Sequence, residues 1–212
     1  MATFGFLHTA DVHVAVFAGL LREIDPSHQA VHLVDQSLLA DARRRATVDD
    51  DLRIRIGTGL EDLRGRGAVR IVCTCSTIGG DAEEVGRSLG LDVFRVDRPM
   101  AEAAVAHGGR IAVVAALEST MGPTRTLLRE TADRRGRSVT IIDAPCLETW
   151  AHWETGDIAG YVAAVASHLE SLGDSADVIV LAQASMAPVE KLVHLAVPVL
   201  SSPRPAVAEL VR

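Results

Sequence analysis

Short apolar runs rich in β-branched residues alternate with helical patterns along the chain, and this alternation constrains the fold more than any other feature. Several runs are apolar at consecutive positions, which is typical of strands covered by helices on both faces of a parallel sheet. Repeated β–α alternation predicts a doubly wound α/β fold. The predicted strands are residues 3–8, 30–35, 69–75, 93–97, 110–117, 139–143, 178–183 and 198–201.

Helix signals fall between these strands. The clearest helical spacing of apolar residues covers residues 158–172. Thr47 is the predicted N-cap of a helix whose first turn holds three aspartates, and Gly136 follows a basic pair as a predicted helix end.

The strand pattern also repeats once, and this repeat predicts two α/β lobes of similar length. We assign residues 1–98 to the first lobe and residues 99–200 to the second. The boundary lies at Pro99 because proline restricts the residue before it and tends to close an element. Residues 201–212 are predicted to form a C-terminal helix that packs back on the first lobe.

Composition narrows the function classes. The formal charge is −7, with acidic and basic residues mixed along the chain, so neither a nucleic acid nor an anionic membrane is an expected partner. No apolar stretch approaches the roughly 20 residues of a membrane span, and the N-terminus lacks the basic region of a signal peptide. Three cysteines are too few for a disulfide framework, so we expect reduced thiols in the cytoplasm.

Polar side chains follow the predicted strands, and ligands of open parallel sheets bind beyond the carboxyl ends of the strands. Short hydroxyl side chains beside backbone N–H groups suit a carboxylate or another small anion. No basic residue is apparent at these ends, so we expect backbone amides to hold the anion. The candidate binding residues are His8, Thr9, His13, Ser76, Thr77, Ser119, Thr120, Gln183, Ala184 and Ser185.

The stretch "IVCTCSTIGG", residues 71–80, holds two of the three cysteines. Cys73 lies inside the apolar run and is predicted to be a core residue. Cys75 lies where the strand gives way to a turn, and a thiol at a helix N-terminus is favoured as thiolate. Position alone leaves a structural and a functional role for Cys75 equally open. The cysteines and histidines lack the spacing of a metal motif, so no metal site is expected.

Three longer stretches resemble the aspartate/glutamate/hydantoin racemase superfamily: "VCTCSTIGG", "DRPMAEAAVAHGGRIAVVAALESTMGPT" and "DVIVLAQASMAP". The segments "HLVDQSLL" and "PVLSSPRPA" are also similar. The resemblance implies two flavodoxin-like lobes related by a pseudo-twofold, with the carboxylate of a small substrate held between them. It further implies a homodimer and no cofactor.

The resemblance also implies a mechanism in which each lobe supplies one cysteine. One thiolate removes the proton on the carbon next to the carboxylate, and the other thiol returns a proton on the opposite face. Cys75 matches the first cysteine, Ser76 and Thr77 match its carboxylate-binding pair, and Thr120 matches a hydroxyl of the second lobe.

The second cysteine of the superfamily falls on Gln183, and glutamine is neither an acid nor a base at neutral pH. Cys146 does not replace it, because it follows the preceding strand. The chain then fits one-sided chemistry with a single thiol, either decarboxylation followed by protonation or cis–trans isomerisation. A racemase with His8 or His13 as second base is an alternative. Two others are a non-catalytic binder of small carboxylates and an α/β enzyme that shares only the architecture.

Overall fold

The structure is a computed structural model that describes residues 1–173 and 175–212. The chain divides into two compact units. The first comprises Met1–Arg98 together with Pro203–Arg212, and the second comprises Pro99–Ser202.

The first unit is a four-stranded parallel sheet with helices packed on it. The spatial order of its strands is β2-β1-β3-β4. Its C-terminal helix packs on α1 and β3, and Arg70 of β3 donates to the carbonyls of Glu209 and Leu210. The elements are β1 Thr3–His8, α1 Val12–Ile24, β2 Gln29–Val34, α2 Gln36–Arg45, α3 Asp50–Gly65, β3 Ala68–Cys73, α4 Gly79–Ser88, β4 Val93–Arg95 and α9 Pro203–Leu210.

The second unit has the same topology, with strand order β6-β5-β7-β8 and all neighbours parallel. Two 3-10 helices, Leu147–Thr149 and Ala184–Lys191, follow β6 and β7. The other elements are α5 Arg98–His107, β5 Arg110–Val114, α6 Glu118–Arg134, β6 Thr140–Asp143, α7 Trp150–Glu154, α8 Ile158–Ser171, β7 Val178–Leu181 and β8 Val199–Leu200.

Both faces of the second sheet are buried, which explains the consecutive apolar residues in its strands. On β5, Ala112 and Val114 pack into one cluster with Tyr161, whereas Ile111 and Val113 pack into another on the opposite face. Successive side chains of a strand point to opposite faces, so a strand covered on both sides must be apolar throughout. The predicted doubly wound α/β class is confirmed for both units.

All eight predicted strands are present, but most end earlier than predicted. The third strand was predicted to reach Cys75 and ends at Cys73, and the seventh was predicted to reach Gln183 and ends at Leu181. The apolar pattern continues beyond each strand because the connecting segment is also buried. A local run of apolar residues therefore predicts burial better than it predicts where a strand ends.

One of the two helix-end predictions is wrong. Asp49, not Thr47, caps α3, because its carboxylate accepts the backbone N–H of Leu52 at 3.1 Å. Gly136 does end α6, and its positive φ of 61° is the backbone conformation that glycine adopts without strain. Among the residues that the structure describes, no helix is long and apolar enough to cross a membrane.

Candidate functional site

The turn that follows β3 carries Cys75, Ser76 and Thr77, and all three residues are buried. The last bond from this strand to β1 runs from the Thr74 N–H to the Leu7 carbonyl at 2.9 Å, after which the chain leaves the sheet. The helix begins only at Gly79. Cys75 therefore lies in the turn that precedes α4, before the helix N-cap at Ile78.

The two neighbouring cysteines pack into the same core cluster of the first unit and differ in exposure. Cys73 is fully buried in the core cluster of the first unit, as predicted, and burial raises the pKa of its thiol. Its Sγ lies 3.8 Å from the Cys75 carbonyl oxygen, to which it donates. Cys75 keeps 7% of its surface exposed. Of this pair, only Cys75 keeps any exposed surface.

A buried ion pair lies beside the turn and contradicts the expectation that no basic residue is present there. Arg95, the last residue of β4, donates from Nε to Asp97 at 2.6 Å and from Nη2 at 2.9 Å. Its Nη2 also lies 3.3 Å from the Ser76 carbonyl oxygen. The guanidinium therefore fixes the backbone of the turn. Two charges spaced two residues apart in an otherwise apolar strand were the available sequence signal, because unpaired charges are almost never fully buried.

The Ser76 hydroxyl is buried and, within residues 1–173 and 175–212, has no hydrogen-bond partner. Buried polar groups in proteins are nearly always hydrogen-bonded, so a hydroxyl left open usually indicates a partner that the protein chain does not supply. An acceptor or donor group of a ligand bound beside Cys75 would meet this requirement.

His8 lies at the end of β1 and is completely buried, within a chain of hydrogen bonds. The Thr74 hydroxyl donates to the Leu7 carbonyl at 3.1 Å, so it must accept from His8 Nδ1, 2.8 Å away. His8 Nε2 then accepts from His32 Nδ1 at 2.9 Å. Sequence reasoning missed His32, which is 24 positions from its partner. The signal was the predicted pairing of two strands that each carry a histidine.

Burial, reinforced by the nearby His32 and His13 rings, lowers the pKa of His8 from 6.5 to about 3. Burial alone lowers the pKa of His13, on α1, to about 4. Both imidazoles are therefore neutral at pH 7, and a base this weak removes a carbon-bound proton poorly. These shifts weigh against either histidine as the second base of a racemase. Thr9 is also buried, immediately after His8.

The second unit presents Gln183 at the position that Cys75 occupies in the first. The Ala182 N–H donates to the Val114 carbonyl at 2.9 Å, the same ladder bond that ends β3 at Thr74. The residue after this bond is Gln183 in the second unit and Cys75 in the first. Gln183 Oε1 accepts the N–H of Ala116 at 2.6 Å, and little of the side chain is exposed.

The other predicted residues of the second unit lie at the ends of β5 and β7. Ser119 and Thr120 are in the first turn of α6, with Thr120 buried, and Ala184 and Ser185 start the 3-10 helix after β7. The Ser185 hydroxyl is 3.0 Å from the hydroxyl of the buried Tyr161.

Cys146 occupies a different position from Gln183, as the sequence indicated. Its N–H donates to the Ala115 carbonyl at 2.9 Å, and in the first unit the corresponding bond joins the Asp35 N–H to the His8 carbonyl. Cys146 is thus the counterpart of Asp35. Burial raises the pKa of its thiol to about 11. Among the described residues, no cluster of three histidine, cysteine or acidic side chains is arranged to hold a metal ion.

Neither a family model nor a curated protein sequence matches the chain, but solved structures do. The aspartate racemase of Picrophilus torridus superposes with a TM-score of 0.77 at 14% identity, covering 100% of this chain and 93% of the other. The glutamate racemase of Francisella tularensis in complex with D-glutamate gives 0.68 at 14% identity, covering 99% and 79%. The chain has the aspartate/glutamate racemase fold.

This racemase fold also occurs in a decarboxylase. A mutant of arylmalonate decarboxylase, in a sulfate-associated form, superposes with a TM-score of 0.57 at 16% identity, covering 99% of this chain and 92% of the other. The racemase fold is therefore compatible with more than one reaction, and the choice between them depends on the side chains of each site.

Proposed function

We propose that this chain is a cofactor-independent enzyme of the aspartate/glutamate racemase superfamily that acts at the carbon next to a carboxylate, with Cys75 as its acid–base group. The observation that carries the proposal is the buried turn after β3, where Cys75 precedes a buried Ser76 hydroxyl that has no partner in the described chain. A small carboxylate bound here would supply the missing partner. The racemase fold and the D-glutamate complex of one similar protein support this ligand class.

A single thiol restricts the chemistry to one face of the substrate carbon. As thiolate, Cys75 would take the α-proton, leaving an enediolate, and would return a proton to the same face. Exchange with solvent then proceeds without inversion. Gln183, which stands in the second unit where Cys75 stands in the first, is neither an acid nor a base at neutral pH. The low pKa values of His8 and His13 make them poor substitutes.

A second candidate, decarboxylation followed by protonation on one face, is favoured by the same Gln183 observation and by the decarboxylase among the similar structures. In this reaction the bond between the α-carbon and one carboxylate breaks, carbon dioxide leaves, and the electron pair remains on the α-carbon. Cys75 as thiol donates its proton to that carbon and is reprotonated from water. The step needs no second thiol.

The test is proton NMR in deuterated water with both enantiomers of aspartate and glutamate, substituted hydantoins, maleate and aryl malonates. We expect at least one acid to lose its α-proton signal or to form a new product with the wild-type protein. Cys75→Ala should lower that rate at least about 100-fold, since a positioned acid–base group contributes roughly 100- to 10,000-fold. Cys146→Ala is the matched control, because it removes a buried thiol from another position, and it should keep the wild-type rate.

Two outcomes would count against the proposal. Full turnover by Cys75→Ala would remove Cys75 from the chemistry. Binding of an acid with no turnover of any compound would favour a carboxylate-binding protein, and a ligand-dependent rise in melting temperature would identify that case, because a ligand that binds only the native state stabilises it.

A further inference from the structure

A buried guanidinium joins the end of β4 to the turn that carries Cys75, and all of its partners lie in the first unit. Arg95 and Asp97 are both buried, and their two hydrogen bonds, from Nε at 2.6 Å and from Nη2 at 2.9 Å, hold the guanidinium in one orientation. Its Nη2 also donates to the Ser76 carbonyl oxygen at 3.3 Å. Because the guanidinium is planar and clamped by a carboxylate, it holds this carbonyl from a rigid point.

The first turn of α4 packs against the same side chain. A Cβ atom on Gly79 would lie 2.8 Å from the Cβ of Arg95, closer than two such carbon atoms approach. A Cβ atom on Gly80 would lie 3.5 Å from Nη1 of Arg95, which is an ordinary van der Waals distance. Glycine at position 79 therefore lets the helix begin directly on Arg95, and the turn is held at both of its ends.

The charges around this contact balance within the first unit. Glu83 of α4 accepts the Arg95 N–H at 3.0 Å and Arg98 Nε at 2.7 Å, so two arginines and two acidic residues form one group with Asp97. Their formal charges sum to zero, and a guanidinium that is already paired attracts a further anion only weakly. The contacts of Arg95 therefore suit a geometric role better than an anion-binding role.

We infer that Arg95 is a positioning residue that holds the turn after β3 in the conformation in which Cys75 and Ser76 act on the same ligand. The inference rests on the proposed function for that ligand, and it adds the residue that keeps the site in shape. A misplacement of about 1 Å in a reacting group can cost roughly 100-fold in rate. A turn released from Arg95 should therefore lose activity while the fold persists.

The competing explanation is that the ion pair only stabilises the fold. Arg95→Lys keeps a positive charge beside Asp97, but a lysine is a point charge on a flexible stem and lacks the fork that reaches Asp97 and Ser76 together. Arg98→Lys is the matched control, because it makes the same change in an arginine whose side chain bonds to Glu83.

A second pair of variants tests the contact from the helix side and changes no charge. Gly79→Ala adds a Cβ atom that must displace Arg95 or the turn, whereas Gly80→Ala adds one at an ordinary contact distance and is its control. This pair keeps the test decisive if Arg95→Lys does not fold.

The experiment follows alkylation of each thiol by iodoacetamide at neutral pH, using peptide mass spectrometry, with urea unfolding in parallel. Arg95→Lys should speed the alkylation of Cys75 at least about tenfold, because a hydrogen bond from a charged donor contributes that much or more. Gly79→Ala should act in the same direction. The fully buried Cys73 is the internal reference, since unfolding of the whole unit exposes both thiols and release of the turn exposes Cys75 alone.

The second measurement is turnover of whichever acid the NMR panel identifies. Arg95→Lys should lower kcat at least about tenfold, since misplacement of the reacting group acts on the chemical step. Arg98→Lys and Gly80→Ala should keep the wild-type kcat.

Three results would overturn the inference: equal acceleration of Cys73 and Cys75, unchanged alkylation of Cys75, or wild-type kcat in Arg95→Lys. The first would leave Arg95 with a structural role alone, and the second would show that it does not hold the turn. Failure of the proposed function is distinguishable, because it appears as turnover by Cys75→Ala or as no turnover by the wild type. Alkylation needs no substrate, so it decides whether Arg95 holds the turn in either case.

Discussion

The turns after β3 and β7 share a backbone arrangement and differ in chemistry. Each follows a central strand of its sheet, after the same ladder bond. The first turn presents Cys75 beside a buried arginine–aspartate pair. The second presents Gln183, whose amide is held by a backbone N–H. The first turn therefore carries an ionisable reactive group, and the second carries only neutral polar groups.

The neighbouring edge strands of the two units, by comparison, are alike. In the first unit, the N–H of Arg95 at the end of β4 donates to Glu83 of the preceding helix α4 at 3.0 Å. In the second, the N–H of Ser201 after β8 donates to Glu190 at 2.7 Å. In both units, a glutamate carboxylate therefore accepts the backbone N–H at the corresponding strand position. The sheet register fixes the position of a side chain, and the residue type determines the chemistry available at that position.

The largest effect should come from making the two turns chemically alike. We expect Gln183→Cys to convert one-sided exchange into racemisation, because it restores the second cysteine of the two-thiol mechanism that the resemblance to the racemase superfamily implies. Chiral chromatography of an exchanged amino acid should change from one enantiomer to a mixture. The same substitution in the Cys75→Ala background is the control and should not racemise. A Gln183→Cys protein that exchanges protons but keeps one enantiomer would contradict the proposed counterpart relation.

The buried ion pair of the first unit should give the next largest effect. Arg95→Met leaves Asp97 buried and unpaired, and breaking such a pair typically costs about 3–5 kcal/mol of unfolding free energy. Arg110→Met, in the second unit, removes an arginine from a pair with Asp177 that is largely exposed, so its loss should stay below about 1 kcal/mol. Urea denaturation measures both. Equal losses would show that the Arg95 pair does not stabilise the first turn.

Acid should destabilise the first unit through its buried histidines. His8 and His13 are neutral in the fold, with pKa values of about 3 and about 4, but would take up protons near pH 6.5 when unfolded. The unfolded state then binds more protons, so stability is complete above pH 6.5 and falls as the pH decreases toward 4. Each histidine should contribute up to about 1.4 kcal/mol per pH unit.

The measurement is unfolding free energy between pH 6 and 5, above the range in which ordinary carboxyl groups titrate. His8→Gln and His13→Gln should each lower the slope, and part of it should remain because burial also lowers the pKa of His32. A slope that neither substitution changes would mean that these histidines are not the groups that take up protons on unfolding.

The fold could be predicted from the sequence because its signals are local. Each strand is a short apolar run, and runs such as residues 178–181 are apolar at every position because helices cover both faces. The strand ends could not be predicted, since they depend on how far the partner strand extends. β4 is only three residues long, so the ladder around β3 stops early and Cys75 falls in a turn.

The candidate site was only partly predictable for a related reason. Cys75 and Gln183 stand out because each follows an apolar strand and matches, or departs from, a known pattern. The contact of His8 with His32 depends on strand pairing across 24 positions. The anchoring of Gln183 likewise depends on a contact with Ala116, 67 positions away, whereas Arg95 and Asp97 are only two positions apart and left a local signal.

The smallest effect should come from the hydrogen bond between Tyr161 and Ser185, which lies two residues after Gln183. Tyr161 contacts Ser185 at 3.0 Å, and burial raises the pKa of the phenol, so the hydroxyl stays protonated. Tyr161→Phe removes one neutral hydrogen bond and should cost about 1 kcal/mol of unfolding free energy. In the first unit, Thr77 corresponds to Ser185. Thr77→Val should weaken acid binding more than it weakens the fold. If Tyr161→Phe also weakened acid binding by tenfold or more, Ser185 would be a binding residue, and the two turns would be more alike than their reactive groups suggest.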